Sequence, residues 1–292
     1  MTKQIIRGYR LICLISALSL FLSACSTTSL QDRGGYLVDS SHSAVSVDSR
    51  IKHLILHYTV GSFDRALYQL SRGPVSAHYL VPQEETESRP VVLQLVPEQL
   101  RAWHAGASYW QGRTNINDSS IGIEIVNQGP TETPQGTVWQ AYTPFQIAII
   151  KRLASDVIAR YGIEPIDVLG HSDIAPSRKS DPGPLFPWKE LAAAGIGAWP
   201  DAATVDRYLA GRDPHQQVDN IGLLQAQLRQ YGYDAPLSGV LDPQTVQVLS
   251  AFQMHFRPSD YGGAADAETG AIAAALLEKY HSLLQSGDHV GD

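Results

Sequence analysis

The sequence predicts an α/β domain followed by a second, small three-helix domain. Three observations carry this. Short apolar, β-prone runs alternate with a capped helical segment from Ile51 onward. A stretch punctuated by Gly, Pro and Asp, residues 195–215, interrupts that pattern. Beyond it come three apolar stripes at helical spacing.

The elements follow in order. Lys52 to Tyr58 reads as a buried strand that ends at His57. Ser76 to Val81 and Val91 to Val96 read as two more, separated by a polar turn around Gln83 to Pro90. In Ser120 to Asn127, Ile121, Ile123 and Ile125 alternate with Gly122, Glu124 and Val126. A strand there places Glu124 on the face opposite the isoleucines. Thr143 is a helix N-cap with Pro144 at the first position, and Gly162 ends the helix. Ile166 to Leu169 is a further strand that delivers His171 just past its end. In the second domain the stripes are Ile221/Leu224/Leu228/Tyr231, Val246/Leu249/Phe252/Gln253 and Ile272/Leu276/Leu277/Tyr280.

The N-terminus reads as an address. Lys3, Arg7 and Arg10 precede an apolar run, Leu11 to Phe21, which is too short to span a bilayer as a helix. Leu22-Ser23-Ala24-Cys25 closes it and resembles a bacterial lipobox. That resemblance implies cleavage before Cys25, lipidation of its thiol and anchoring in a membrane. Ser26, in place of Asp, implies the outer membrane of a Gram-negative cell, facing the periplasm. The expected layout is a signal peptide over 1–24, a tether over 25–49, a catalytic domain over 50–196, a linker over 197–215 and a helical domain over 216–286.

Composition excludes several classes. With 43% hydrophobic and 17% charged residues the chain is globular, not disordered. A net charge of −7 with no basic stripe argues against a nucleic-acid partner. The only cysteines are Cys13 and Cys25, so neither a disulfide framework nor a Cys-rich zinc site is available to the folded part. A monomer is expected.

His57, His171 and Asp181 could form a hydrolytic metal site. Two imidazoles and a carboxylate suit zinc, and three protein ligands leave the fourth position for water. The residues alone leave a structural reading open, because the chain has ten histidines and a histidine closing a strand is commonly structural.

Six ordered motifs decide between these readings. They are Leu54-Ile55-Leu56-His57-Tyr58-Thr59, Ser76-Ala77-His78-Tyr79-Leu80-Val81, Ala102-Trp103-His104-Ala105-Gly106, Ile121 to Asn127, Gly170-His171-Ser172-Asp173-Ile174-Ala175-Pro176 and Lys179-Ser180-Asp181-Pro182-Gly183-Pro184. Together they resemble the N-acetylmuramoyl-L-alanine amidases of the type 2 family. The resemblance implies a mixed central sheet flanked by helices. It implies hydrolysis of the amide between N-acetylmuramic acid and L-alanine, and one zinc ion per chain on His57, His171 and Asp181. It implies that Glu124 handles the proton of the attacking water and that Lys179 faces the developing oxyanion. By the same resemblance, Trp103 and His104 lie at the cleft edge. With Tyr58 and Asn127 they are expected to contact the peptidoglycan or muropeptide substrate. His78 is expected to be structural or to support a ligand.

The C-terminal segments Gln225-Ala226-Gln227-Leu228, Gly239 to Thr245 and Ala251-Phe252-Gln253 resemble the three-helix peptidoglycan-binding domain. Asp242 should cap its second helix. The resemblance makes this domain a wall anchor, so that removing it should spare activity on soluble substrates. The rival reading is a non-catalytic peptidoglycan-recognition or wall-tethering lipoprotein. Such recognition proteins typically lack a metal ligand, and this chain has all three.

Overall fold

The protein is described by a computed structural model covering residues 30–84 and 91–287, without the side chains of 282–287. Cys25 and the rest of the N-terminal address lie outside the described residues. The described residues fall into two units, one up to Asp48 and one from Ser49 onward.

In the first unit, β1 (Leu30–Asp32) and β2 (Leu37–Asp39) pair as an antiparallel hairpin. This hairpin lies within the stretch read as a tether. The turn explains the pairing: Gly34 and Gly35 both adopt positive φ, and Asp32 Oδ1 accepts from the Gly34 amide at 2.8 Å.

The second unit begins with β3 (His53–Tyr58), α1 (Phe63–Arg72), β4 (Tyr79–Val81) and β5 (Leu93–Gln94). A small hairpin of β6 (Tyr109–Trp110) and β7 (Arg113–Thr114) leads to β8 (Ser120–Ile125). A second hairpin, β9 (Pro130–Thr133) with β10 (Gly136–Trp139), precedes α2 (Pro144–Tyr161), β11 (Val168–Gly170), α3 (His171–Ile174) and α4 (Trp188–Ala193). Then come α5 (Ala202–Leu209), α6 (Ile221–Tyr231), α7 (Pro243–Phe256) and α8 (Ala267–Gly287).

The central sheet has the order β11-β3-β8-β4-β5 and is parallel except for β5, the mixed sheet that the sequence implied. β4 and β5 are shorter than expected. The caps of α2 are as expected: Thr143 Oγ1 accepts from the Gln146 amide, and Gly162 takes the left-handed conformation.

The alternation in β8 sorts the two faces of the sheet. Ile121, Ile123 and Ile125 join Leu54, Leu56 and Val168 beneath Ile150, Ala154 and Val157 of α2. The other face carries Ile55 and Leu169, and its cover is unexpected. These residues share one core with Trp110 and Ile174, and with Leu228, Tyr233, Val248 and Phe252 of the C-terminal helices. The helical domain thus completes the core of the sheet, which does not fit a detachable anchor. Nor is the segment between them bare linker. α5 lies within it, and Arg207 and Tyr208 bond Glu278 of α8. Asp242 caps α7 as expected, accepting from the Thr245 amide at 2.8 Å.

Candidate active site

The site sits at the C-terminal ends of the parallel strands, where α/β sheets commonly bind ligands. His57 of β3 pairs in register with Glu124 of β8, so both side chains point to the same face. β11 ends at Gly170, and His171 opens α3. Ser172 N donates to Asp181 O at 2.9 Å, which brings the Asp181 segment back beside His171.

Three atoms converge there. His57 Nδ1 lies 3.0 Å from His171 Nδ1 and 2.9 Å from Asp181 Oδ2, and His171 Nδ1 lies 3.2 Å from the same oxygen. All three residues are buried. Ligands at ordinary zinc–nitrogen distances around a tetrahedral ion stand about 3.3 Å apart. The spacing and the donor set therefore fit one zinc ion.

The surrounding hydrogen bonds fix which ring nitrogen is free. Ser120 Oγ donates to Ile116 O at 2.7 Å, so it accepts from His104 Nε2 at 3.1 Å. His104 Nδ1 is then an acceptor and takes the proton of His57 Nε2 at 3.0 Å. His57 Nδ1 is left with its lone pair toward the cluster. His171 Nε2 donates to Ala105 O at 3.0 Å, which frees its Nδ1 in the same way. Metal-ligating histidines are ordinarily held like this.

The electrostatics agree. Burial, reinforced by the neighbouring His171, pushes the His57 imidazole down to about 4, so the ring is neutral. Burial also holds His104 well below its ordinary value. At Asp181 burial acts to raise the carboxyl, but positive charge at the facing His171 and His57 nitrogens outweighs it and holds the group well below the usual range, as a cation between them would. A neutral His57 ring and an ionised Asp181 carboxylate are the forms that bind metal.

Glu124 lines the same cleft. Its Oε2 is buried and has no hydrogen-bond partner among the described residues. Burial, with Asp181 adding to it, raises this carboxyl well above its ordinary value, and Lys179 opposes the shift. Lys179 lies on the cleft wall with Tyr58, Val60, Trp103, Arg178 and Ser180, around a volume of about 360 Å³.

Two of the expected substrate contacts have their polar groups engaged within the fold, although His104 lines the cleft. Both ring nitrogens of His104 are engaged, by His57 and Ser120, and its ring packs on Gly122, where a Cβ would come within 2.5 Å. Its Nδ1 thereby supports His57. Asn127 is buried, donates to Gln140 O and accepts from the Gly129 amide, so its amide pins the turn after β8. Trp103 and Tyr58 do line the cleft. Trp103 is 51% exposed beneath the Arg101 guanidinium, and the Tyr58 hydroxyl bonds Ser180 Oγ at 2.7 Å. His78 is structural: its Nδ1 accepts from Gly122 N and its Nε2 donates to Leu100 O.

Sequence reasoning missed Ser120 and Arg178. Arg178 Nη2 donates to Ala105 O and Ala107 O, clamping the loop whose carbonyl holds His171. Its only local signal was adjacency to Lys179.

A family model described as N-acetylmuramoyl-L-alanine amidase matches residues 47–184, and one described as a putative peptidoglycan binding domain matches 217–272. The chain is similar to N-acetylmuramoyl-L-alanine amidase AmiD of Escherichia coli (strain K12), with 49% identity over 267 residues, 90% of this chain and 96% of that protein. It also resembles the solved complex of E. coli AmiD with the substrate anhydro-N-acetylmuramic acid-L-Ala-D-gamma-Glu-L-Lys. There the TM-score is 0.82 at 50% identity, covering 86% of this chain and 98% of that one. The structure of AmpDh3 from Pseudomonas aeruginosa gives a TM-score of 0.75 at 43% identity, again over 86% and 98%.

Proposed function

The chain belongs to the N-acetylmuramoyl-L-alanine amidase family, and from that premise we propose that the cleft works as a zinc centre served by Glu124 and Lys179. The protein hydrolyses the amide bond between N-acetylmuramic acid and the L-alanine of the stem peptide, in peptidoglycan or muropeptides. One zinc ion on His57 Nδ1, His171 Nδ1 and Asp181 Oδ2 would supply Lewis-acid polarisation of the carbonyl and lower the pKa of a water to about 7.

The chain's own groups do the rest. Glu124 Oε2 accepts the proton of the attacking water. Its raised pKa makes it a better base than an ordinary carboxylate and lets it hand the proton on to the leaving amine. Lys179 donates to the oxygen on which negative charge develops, a role worth about 3 kcal/mol for one donor. Trp103 and Tyr58 offer flat surfaces for the sugar and stem peptide. One observation carries this reading: the three ligand atoms converge in the cleft that is also lined by Glu124, whose buried Oε2 has no hydrogen-bond partner among the described residues. The recognition-only alternative has nothing comparable in its favour.

The setting is a Gram-negative periplasm, since the similar proteins act on peptidoglycan in such bacteria. We further propose lipidation at Cys25, anchoring to the outer membrane, a monomeric state, and wall contact through residues 216–286. Palmitate labelling of the wild type and a Cys25→Ala variant tests the anchor.

The chemistry is tested on purified protein with whole sacculi and with anhydro-muropeptides, by mass spectrometry of released stem peptides. Activity should vanish with chelator, return with zinc, and be lost in Asp181→Ala. Cleavage that survives complete metal removal would overturn the zinc reading.

A further inference from the structure

Asp173 lies two residues after His171 and is 1% exposed. Its Oδ2 accepts from Gly170 N at 2.7 Å, so the carboxylate bridges the backbone on either side of His171. Its two side-chain donors both come from the C-terminal domain. His255 Nδ1 of α7 donates to Oδ2 at 2.8 Å, and the Tyr233 hydroxyl, just after α6, donates to Oδ1 at 2.5 Å.

Both donors are themselves held. The His255 ring stacks on Trp188 at 3.8 Å and on Phe256 at 4.0 Å. Tyr233 meets Trp110 edge-on at 5.1 Å, and Gln111 N donates to Gly232 O at 2.9 Å. Gly232 has φ +147°, and a Cβ there would come within 2.7 Å of the Trp110 ring. Only glycine allows so close an approach.

We propose that the C-terminal helical domain is a positioning element of the metal centre, with His255 and Tyr233 holding Asp173 so that α3 presents His171. The physical reason is the cost of the alternative. Without those donors the buried carboxylate keeps one backbone amide, and a buried charge stripped of its partners is strongly destabilising. It would turn toward water and give up the Gly170 bond. The turn carrying His171 would loosen with it, and so would the Ser172 N bond to Asp181 O. The helical domain is then needed even for substrates that never touch the wall. This inference rests on the zinc reading of the cleft.

The test uses full-length Tyr233→Phe and His255→Gln. Zinc dissociation constants are measured by competition with a chromogenic chelator, alongside thermal unfolding and hydrogen exchange at the amides of residues 171–174. Gln225→Ala is the control. It removes a buried amide that bonds Ser238 and Thr245 inside the helical domain and makes no contact with Asp173. Each Asp173-facing variant should weaken zinc about 10- to 100-fold and speed exchange at residues 171–174. The control should stay within about twofold, as expected for a residue outside the metal's supporting shell. Wild-type zinc affinity in both variants, whatever happens to their melting temperatures, would overturn the proposal. Equal zinc loss in the control would also overturn it. Wild-type protein that binds no zinc would instead overturn the zinc reading. If one variant does not fold, the other decides the question, because the two donors reach different oxygens of the same carboxylate.

Discussion

Gly122→Ala tests the support of His57 without touching a ligand. A Cβ at position 122 would lie 2.5 Å from Cγ of His104, and 2.6 and 2.7 Å from two further ring atoms. Carbon atoms in contact prefer about 3.5–4.0 Å. The ring must therefore retreat by about 1 Å, and the near end of a side chain cannot swing aside as a flexible tip can. That ring holds two bonds at once, 3.0 Å to His57 Nε2 and 3.1 Å to Ser120 Oγ. A retreat of about 1 Å takes at least one of them beyond hydrogen-bonding distance. Overpacking of this kind costs about 1–3 kcal/mol, and each lost neutral hydrogen bond adds roughly 1 kcal/mol.

The consequence reaches the metal. Once its Nε2 proton loses its acceptor, His57 no longer has its tautomer and ring angle fixed. Loss of such support typically weakens metal binding about 10- to 100-fold. The assay is chelator competition for zinc, with unfolding of the metal-free protein measured in parallel. Both zinc affinity and stability should fall. A Gly122→Ala protein that binds zinc as wild type does would refute the proposed relay from Ile116 O through Ser120 and His104 to His57.

Three further predictions follow from named groups. Glu124→Gln should retain zinc and lose roughly 10²- to 10⁴-fold in kcat, read by muropeptide hydrolysis together with metal analysis; unchanged kcat would remove Glu124 from proton handling. His53 is pushed down from 6.5 to about 4, chiefly by burial, so it is neutral in the fold, and its contribution to stability is lost as pH falls from 6.5 to 4. Asp167, 3.9 Å away, is pushed up to about 7 chiefly by burial, so its contribution is lost as pH rises from 3.8 to 7, the opposite sign. His53→Gln should leave the Asp167 slope unopposed, and its stability relative to wild type should gain on the order of 3 kcal/mol between pH 6.5 and 4; parallel urea-unfolding curves across that range would contradict this. Val60 lies on the cleft wall with φ +51° and is 53% exposed. A β-branched residue is strained there, so Val60→Asn should raise the unfolding free energy by about 1 kcal/mol, and no gain would show that the left-handed backbone costs nothing.

Features whose cause is local were legible in the sequence. Thr143 and Gly162 bound α2 through bonds to residues three or four positions away. The alternation in β8 put Glu124 opposite Ile123, and strand pairing then brought it beside His57. What stayed hidden depends on distant pairing. His104 reads as a substrate contact because Trp-His-Ala-Gly resembles a cleft-edge segment. Its packing on Gly122 was not legible, because that residue has no side chain to announce the contact. Asn127 reads as polar and available, yet its amide is engaged by Gly129 N in its own turn and by Gln140 O beyond the β9–β10 hairpin. The helical domain read as separable because its apolar stripes are self-consistent. The residues that dock it, Tyr233 and His255, find Asp173 across 60 and 82 positions.

The two histidines proposed as ligands are supported in different ways, and this ties the fold to the chemistry. His57 sits on a rigid central strand, and its free nitrogen is set by a side-chain relay that ends on a backbone carbonyl. His171 sits on a single turn of helix at the sheet's end. One backbone carbonyl sets its nitrogen, so the position of that turn matters more than its hydrogen-bond chemistry. A strand carrying His57 needs no outside brace, because β11 and β8 flank it on both sides. The four-residue helix that carries His171 is not tied by a strand ladder on either side. Its brace is Asp173, and the donors to that carboxylate belong to the C-terminal domain. A domain that matches a peptidoglycan-binding family can therefore bear on the proposed metal centre as well, because the short helix bearing His171 leans on it.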